Sequence, residues 1–180
     1  AIYLYQLTGR RTLLVDLDLE LGEIALQLAV EPRFNFIDMV RNFHRMDADL
    51  LASFIEHHPS GVHLLSAPYH PQKTEVVTGD QIARILRFLK QHYDYIIVDT
   101  SKSFTPPTLA TFEEAYEIIL VTTVDVPSLR NIARCLPLLT QMAAPAEDRL
   151  RLVLNRYHED GVIRIPDVEL TSVTGGSALM

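Results

Sequence analysis

The sequence predicts an α/β fold, a mostly parallel, doubly wound sheet in three αβα layers. Two observations carry this. Short runs rich in Val, Ile and Leu, at 12–18, 62–68, 95–101, 118–123 and 150–156, end in polar residues, as buried parallel strands do. Between them lie stretches with apolar residues at helical spacing, and this alternation builds a sheet with crossover helices. In such sheets ligands bind beyond the carboxyl ends of the strands. The stretch Tyr93-Asp94-Tyr95-Ile96-Ile97-Val98-Asp99-Thr100-Ser101 organises the rest, because its apolar run delivers an acid and two hydroxyls to that edge.

Taken in order, Ile2 to Leu7 reads as a helix stopped at Gly9, a residue suited to a left-handed cap. Arg10-Arg11 lead into the first strand, and a loop and short helix occupy 19–26. Asn35 caps the next helix, with Phe36, Val40 and Phe43 on one face. Asp47 caps another, which buries Leu50, Leu51, Phe54 and Ile55 and stops near Pro59 and Gly61; His57 and His58 are expected on its exposed end. Residues 62–68 form a strand, and 69–77 are irregular. A helix over 78–92 places Ile82, Ile85, Leu86 and Leu89 at core spacing. Pro106-Pro107 open a short helix reaching Tyr116. Asp125-Val126-Pro127-Ser128 begin a long helix through Met142, with a kink expected at Pro137. Residues 145–148 turn into the last strand. One domain is expected over 1–170, with 171–180 a polar tail.

A chain of 180 residues supports one core, and no apolar run approaches the ~20 residues of a membrane span. The net charge of −7 disfavours nonspecific attraction to nucleic acid or anionic lipid. The single Cys135 is expected as a core thiol, in keeping with a cytoplasmic location. The seven histidines form no zinc-binding array.

Asp16 and Asp18 at one strand end and Asp99 at another suit a hard cation such as Mg²⁺, which favours oxygen ligands and keeps several waters. One carboxylate could hold the metal's water shell while another orients an attacking water; a pair that merely caps the strand end is the plainer alternative. Asn155 carries donor and acceptor together, as a purine edge requires, although an Asn at a strand exit also forms turns. Lys102 is either a phosphate contact or a solvated loop cation. None of the seven glycines belongs to a G-x-x-x-x-G-K-[ST] phosphate loop, so this chain by itself is not expected to hydrolyse a nucleotide.

Six stretches in order resemble the ParA/MinD-type P-loop ATPases with a deviant Walker A motif. They are Leu13 to Ala25, His58 to Pro68, Tyr93 to Phe104, Val126 to Asn131, Leu152 to Tyr157 and Ile165 to Glu169. Within that superfamily the nearest likeness is to the ATPase-like proteins of tight-adherence (Flp, type IVb) pilus assembly. The resemblance implies a P-loop NTPase fold lacking here its N-terminal phosphate-loop strand, with that loop directly upstream of Ala1 and the closing elements after Glu169 absent. It implies ATP and Mg²⁺ as cofactors, Asp18 as the catalytic residue positioning the hydrolytic water, and Asp16 and Asp99 at the metal. Thr100, Ser101 and Lys102 would form switch II, and Asn155 with Arg156 would meet the adenine. Where relatives commonly read Asp-x-Pro-Arg-Ser-Phe, this chain reads Asp99-Thr100-Ser101-Lys102-Ser103-Phe104.

The function implied is a nucleotide-gated dimer that positions pilus or secretion machinery at a cell pole or the inner-membrane face. A plasmid-partition or division-site ATPase of the same superfamily is the alternative, and a nucleotide-independent scaffold for pilus components is a third. A phosphoacceptor receiver domain fails on spacing, since at least two helices and a strand separate Asp18 from Asp99.

Overall fold

A computed structural model of the chain describes residues 1–69, 77–143 and 149–156. The chain forms two compact units, Ala1–Glu114 and Ala115–Met180, each taken here by itself. The resembling stretch at 165–169 and the tail at 171–180 lie outside the described residues.

The first unit opens with helix α1 (Ile2–Thr8), which ends at Gly9 in the left-handed conformation, φ 63°, with the Gly9 N–H donating to the Tyr5 carbonyl at 2.8 Å. A side chain there would strain the cap. Strand β1 (Thr12–Leu17) follows, then α2 (Ile24–Gln27), α3 (Phe36–Asn42), a 3₁₀ turn (Phe43–Arg45) and α4 (Ala48–Phe54). Both predicted caps are present. Asn35 accepts from the backbone of Ile37 and Asp38 while Asp38 reaches back to the Asn35 N–H, and Asp47 accepts from Leu50 at 2.7 Å. Strands β2 (Glu56–His57) and β3 (His63–Leu65) precede α5 (Gly79–Leu89), β4 (Tyr95–Thr100) and α6 (Pro106–Glu114). The Thr78–Gln81 capping box starts α5. Salt bridges from Arg87 of α5 and from Lys90, its C-cap, to Glu114 tie that helix to α6.

The sheet order is β2-β3-β1-β4, with β1 parallel to both β3 and β4 and β2 antiparallel to β3. Leu13, Val15 and Leu17 project from one face of β1. They join Phe36, Ile37 and Met39 of α3, Leu51 and Phe54 of α4, and Ile82, Ile85 and Leu89 of α5 in one core. The parallel α/β architecture expected from the sequence is therefore the observed one.

Two expectations need correction. His57 and His58 are not on a helix end, because α4 stops at Phe54; His57 belongs to β2, where it faces His63, and His58 bonds the Ser60 hydroxyl at 2.7 Å. The run at Ile96 to Val98 is only half-buried rather than covered on both faces. The reason is position, since β4 ends the four-stranded sheet and has no second neighbour among the described residues.

The second unit pairs β5 (Ile118–Thr123) in parallel with β6 (Leu150–Asn155), and α7 (Val126–Ala143) packs against β5. Pro137 lies within α7, as its sequence position required. Ile118 and Leu152 are buried, but Ile119 and Val121 are 56% and 65% exposed, so one face of this run is open. Cys135 is half-buried rather than a core thiol. Among the described residues no helix is long and apolar enough to cross a membrane.

Candidate functional site at the carboxyl ends of β1 and β4

Parallel pairing brings the acids of the first unit to one place. Asp16 on β1 is the register partner of Asp99 on β4, and Leu17 of Thr100. Adjacent strands lie about 4.8 Å apart, and cross-strand partners share a face, so both carboxylates leave the sheet on the same side.

Their environments then diverge. Asp16 is 1% exposed, and its two oxygens accept from the Asp18 N–H at 3.1 Å and the Ile24 N–H at 3.2 Å. Burial raises its pKa above the ordinary carboxylate value. The two amide hydrogen bonds oppose that shift, and the charges of Asp99 and Asp18 add to it. Asp16 thus ties together the start and end of the loop that carries Asp18. Asp18 is half-exposed and accepts from the Leu21 N–H at 3.2 Å. Asp99 is exposed at its tip, yet partial burial first, and the Asp18 charge second, push its pKa up. A carboxylate whose ionisation is opposed by a neighbouring acid, as Asp99's is by Asp18, gains from a cation placed beside it.

The loop closes only because residue 22 is glycine. A Cβ at Gly22 would stand 2.5 Å from Asp16 Oδ2 and 2.4 Å from the Ala67 Cβ, inside any real contact distance. The sequence places Gly22 in the loop after Asp18 and in a resembling stretch, but not as a residue the loop requires to be glycine. The signal that marks it is its fixed place four residues after Asp18, where the loop returns to Asp16.

Thr100 and Ser101 continue from Asp99 and are half-buried, while Lys102 is exposed. The loop ends where Thr105 caps α6, its hydroxyl 3.1 Å from that of Thr108. In the second unit Asn155 is the register partner of Thr123 and is exposed, followed by Arg156 with φ 56°. Beside it is a cluster missed in the sequence. Asp125 accepts from the Ser128 N–H and hydroxyl, each at 2.9 Å, and from the Thr123 hydroxyl, which together hold its pKa down. Part of this is an ordinary helix cap for α7.

The structure therefore brings Asp16, Asp18, Asp99 and Thr100 together in one unit and sets Asn155 and Arg156 at a strand end of the other. Among the described residues no three Asp, Glu, His or Cys side chains gather closely enough to cage a metal. A cation that keeps most of its water shell and uses one or two carboxylates fits this donor set better than a fully protein-ligated one.

No family model matches the chain. It is 28% identical over 153 residues to the septum site-determining protein MinD of Bacillus subtilis, covering 82% of this chain and 54% of that protein. The chain thus spans about half the length of the curated relatives it matches. Among solved structures it is similar to a ParA family ATPase from Chlorobium tepidum, with TM-score 0.84, 26% identity, and coverage of 99% of this chain and 73% of that one. It also shares the fold of Pyrococcus horikoshii MinD complexed with Mg-ADP, with TM-score 0.74, 21% identity, and coverage of 96% and 68%. In sequence and in fold alike, the chain is similar to the ParA/MinD-type P-loop ATPases.

Proposed function

We propose that this ParA/MinD-like chain carries the switch and metal-facing part of an ATP-dependent positioning ATPase of the division-site or partition type. The observation that supports the reading is the register pairing of Asp16 with Asp99 at the carboxyl ends of β1 and β4, with Asp18 near enough for its charge to act on Asp99. The two compact units are read as parts of one nucleotide domain over 1–170. A phosphate cradle is a requirement of this reading and is not among these 180 residues.

In this reading Asp99 holds Mg²⁺ through water, and its exposed tip and raised pKa suit a carboxylate that gains from a cation. Mg²⁺ neutralises charge on the transferring phosphoryl group when bound. Asp18 orients the hydrolytic water. Asp16, whose oxygens already accept two amides, serves the metal only at the distance of its water shell, while fixing the Asp18 loop. Thr100, Ser101 and Lys102 act as switch II, and Asn155 with Arg156 contacts the adenine. Two nucleotide-bound copies face each other as a dimer, which hydrolysis reopens.

The test is made on the intact protein with Mg-ATP. Asp18→Ala is expected to prolong the ATP-bound dimer, and equal dimer lifetimes for mutant and parent would remove Asp18 from its role. Vesicle flotation and DNA pelleting then separate a division-site protein from a partition protein. The net charge of −7 weighs against nonspecific attraction to DNA and to anionic lipid alike, so the two assays decide between them.

Pilus assembly is the second reading, supported by the six resembling stretches taken together, whereas the curated relatives found are septum-site proteins. Co-purification with pilus-assembly components and retention at a cell pole or the inner-membrane face would favour it. A nucleotide-independent scaffold would show that co-purification without any melting shift on adding Mg-ATP.

A further inference from the structure

The opposite edge of the first unit's sheet holds a second group of polar side chains that the nucleotide reading leaves unused. Arg11 precedes β1, His63 opens β3, His57 lies opposite it on β2, and His92 and Tyr93 precede β4. Together with α4 they line a cavity of about 180 Å³. Its floor is aliphatic, from the buried Leu51 and Ile55 with Ala48 and Ala52 beside them. Among the described residues no acidic side chain lines it.

We propose that this pocket binds a small organic carboxylate, an anionic head on a compact apolar body. The head group follows from the rim. The Arg11 guanidinium is held only loosely, its Nε 4.0 Å from Asp94, and it is largely exposed, so donors remain free for an incoming carboxylate. The His63 and Tyr93 side chains meet at 2.9 Å between Nδ1 and the phenol oxygen. Tyr93 stays a phenol, because burial pushes its pKa up to about 12 against the pull of Arg11. With Nδ1 engaged by the phenol, Nε2 is the His63 ring nitrogen that this bond leaves unused. His57 lies over His63 at 4.0 Å between ring centroids. His92 Nδ1 donates to the Phe88 carbonyl at 3.0 Å. The apolar body follows from the floor, where Ala48 and Ala52 are exposed and an apolar group laid on them removes aliphatic surface from water.

Binding is proton-linked. Burial, the adjacent His57 and Arg11 all keep His63 below the ordinary imidazole pKa, so it is neutral near neutrality. The remaining charged neighbour is Asp94, beside Arg11; the lining residues of α4 carry no charge. A carboxylate arriving between these groups offsets the repulsion and lets His63 take up a proton. Affinity therefore rises as pH falls through the imidazole range.

The experiment adds benzoate or butyrate to the chain and follows the histidine ring resonances by NMR at about pH 6 and about pH 8. Benzyl alcohol and inorganic phosphate serve as comparison ligands. Both carboxylates are expected to shift His57 and His63, to bind several-fold tighter at the lower pH, and to lose about tenfold in affinity in Arg11→Gln. Ala52→Leu, at an exposed helix position that lines the cavity, should fill it and weaken both carboxylates while Arg11 and the imidazoles are retained. Benzyl alcohol binding as well as benzoate would overturn the anionic head, and phosphate matching both acids would overturn the apolar body. Absence of any histidine shift at millimolar ligand would overturn the site. Each of these results is independent of nucleotide binding at the other edge.

Discussion

Asp16 and Asp99 face each other in register across β1 and β4, yet one is sealed and the other open. Asp16 serves the backbone, with the Asp18 and Ile24 amides at 3.1 and 3.2 Å. Asp99 serves whatever enters the crevice.

Asp16→Asn places an amide NH₂ against one of those two backbone donors. The loss should cost about 1–3 kcal/mol. Hydrogen exchange at the Asp18 and Ile24 amides should accelerate, while amides of α5 change little. Unchanged protection at Ile24 would mean that Asp16 does not hold the loop.

Asp99→Asn should stabilise the fold while removing the carboxylate offered to Mg²⁺. The folded pKa is raised above the ordinary value of 3.8. The native state therefore holds this proton more tightly, and stability falls as pH rises from 3.8 through the folded value. A neutral residue escapes that loss, and a gain of roughly 1–3 °C in Tm at pH 7 is expected. A drop in Tm would show that the Asp18–Asp99 repulsion is already relieved.

Gly22→Ala must move either Ala67 or the Asp16 carboxylate, with distances of 2.4 and 2.5 Å to resolve. Overpacking of this kind costs about 1–3 kcal/mol. Urea denaturation should show a lower midpoint with the same slope.

Glu114→Ala should cost on the order of 1 kcal/mol through loss of Arg87 and Lys90, whose nitrogens lie 2.6 and 3.1 Å from its carboxylate. Burial alone would raise the Glu114 pKa, but the hydrogen bonds and charges of Arg87 and Lys90 outweigh it and the net shift is downward from 4.5. The contribution is thus present above pH 4.5 and is lost as pH falls through the folded value. Thermal melts of mutant and parent should differ at pH 7 and converge in acid.

The longer strands and the caps at Asn35 and Asp47 were legible because they depend on neighbours in sequence; the Thr78 box has the same local geometry but was not among the expected caps. Asn35, Asp47 and Thr78 satisfy amides two or three residues on, and the apolar periods of 3.6 and 2 follow from backbone geometry. Residues at the ends of β1 and β4 could be gathered at one edge for the same reason, since parallel strands end together. The histidine pair could not be read this way. His57 and His63 meet because β2 turns back antiparallel on β3, a pairing set by where α4 stops.

By itself, then, the sequence determined the α/β alternation, the capped helices and the delivery of Asp16, Asp18 and Asp99 to the ligand edge. Only the tertiary structure decided that Asp16 would be buried as a backbone anchor, that Gly22 must be a glycine, and that β4 and β5 would each keep exposed apolar surface. The reason is physical. Local periodicity specifies what each element is, whereas burial and pKa depend on which atoms from distant segments come within a few ångströms, and that information exists only once the chain has packed.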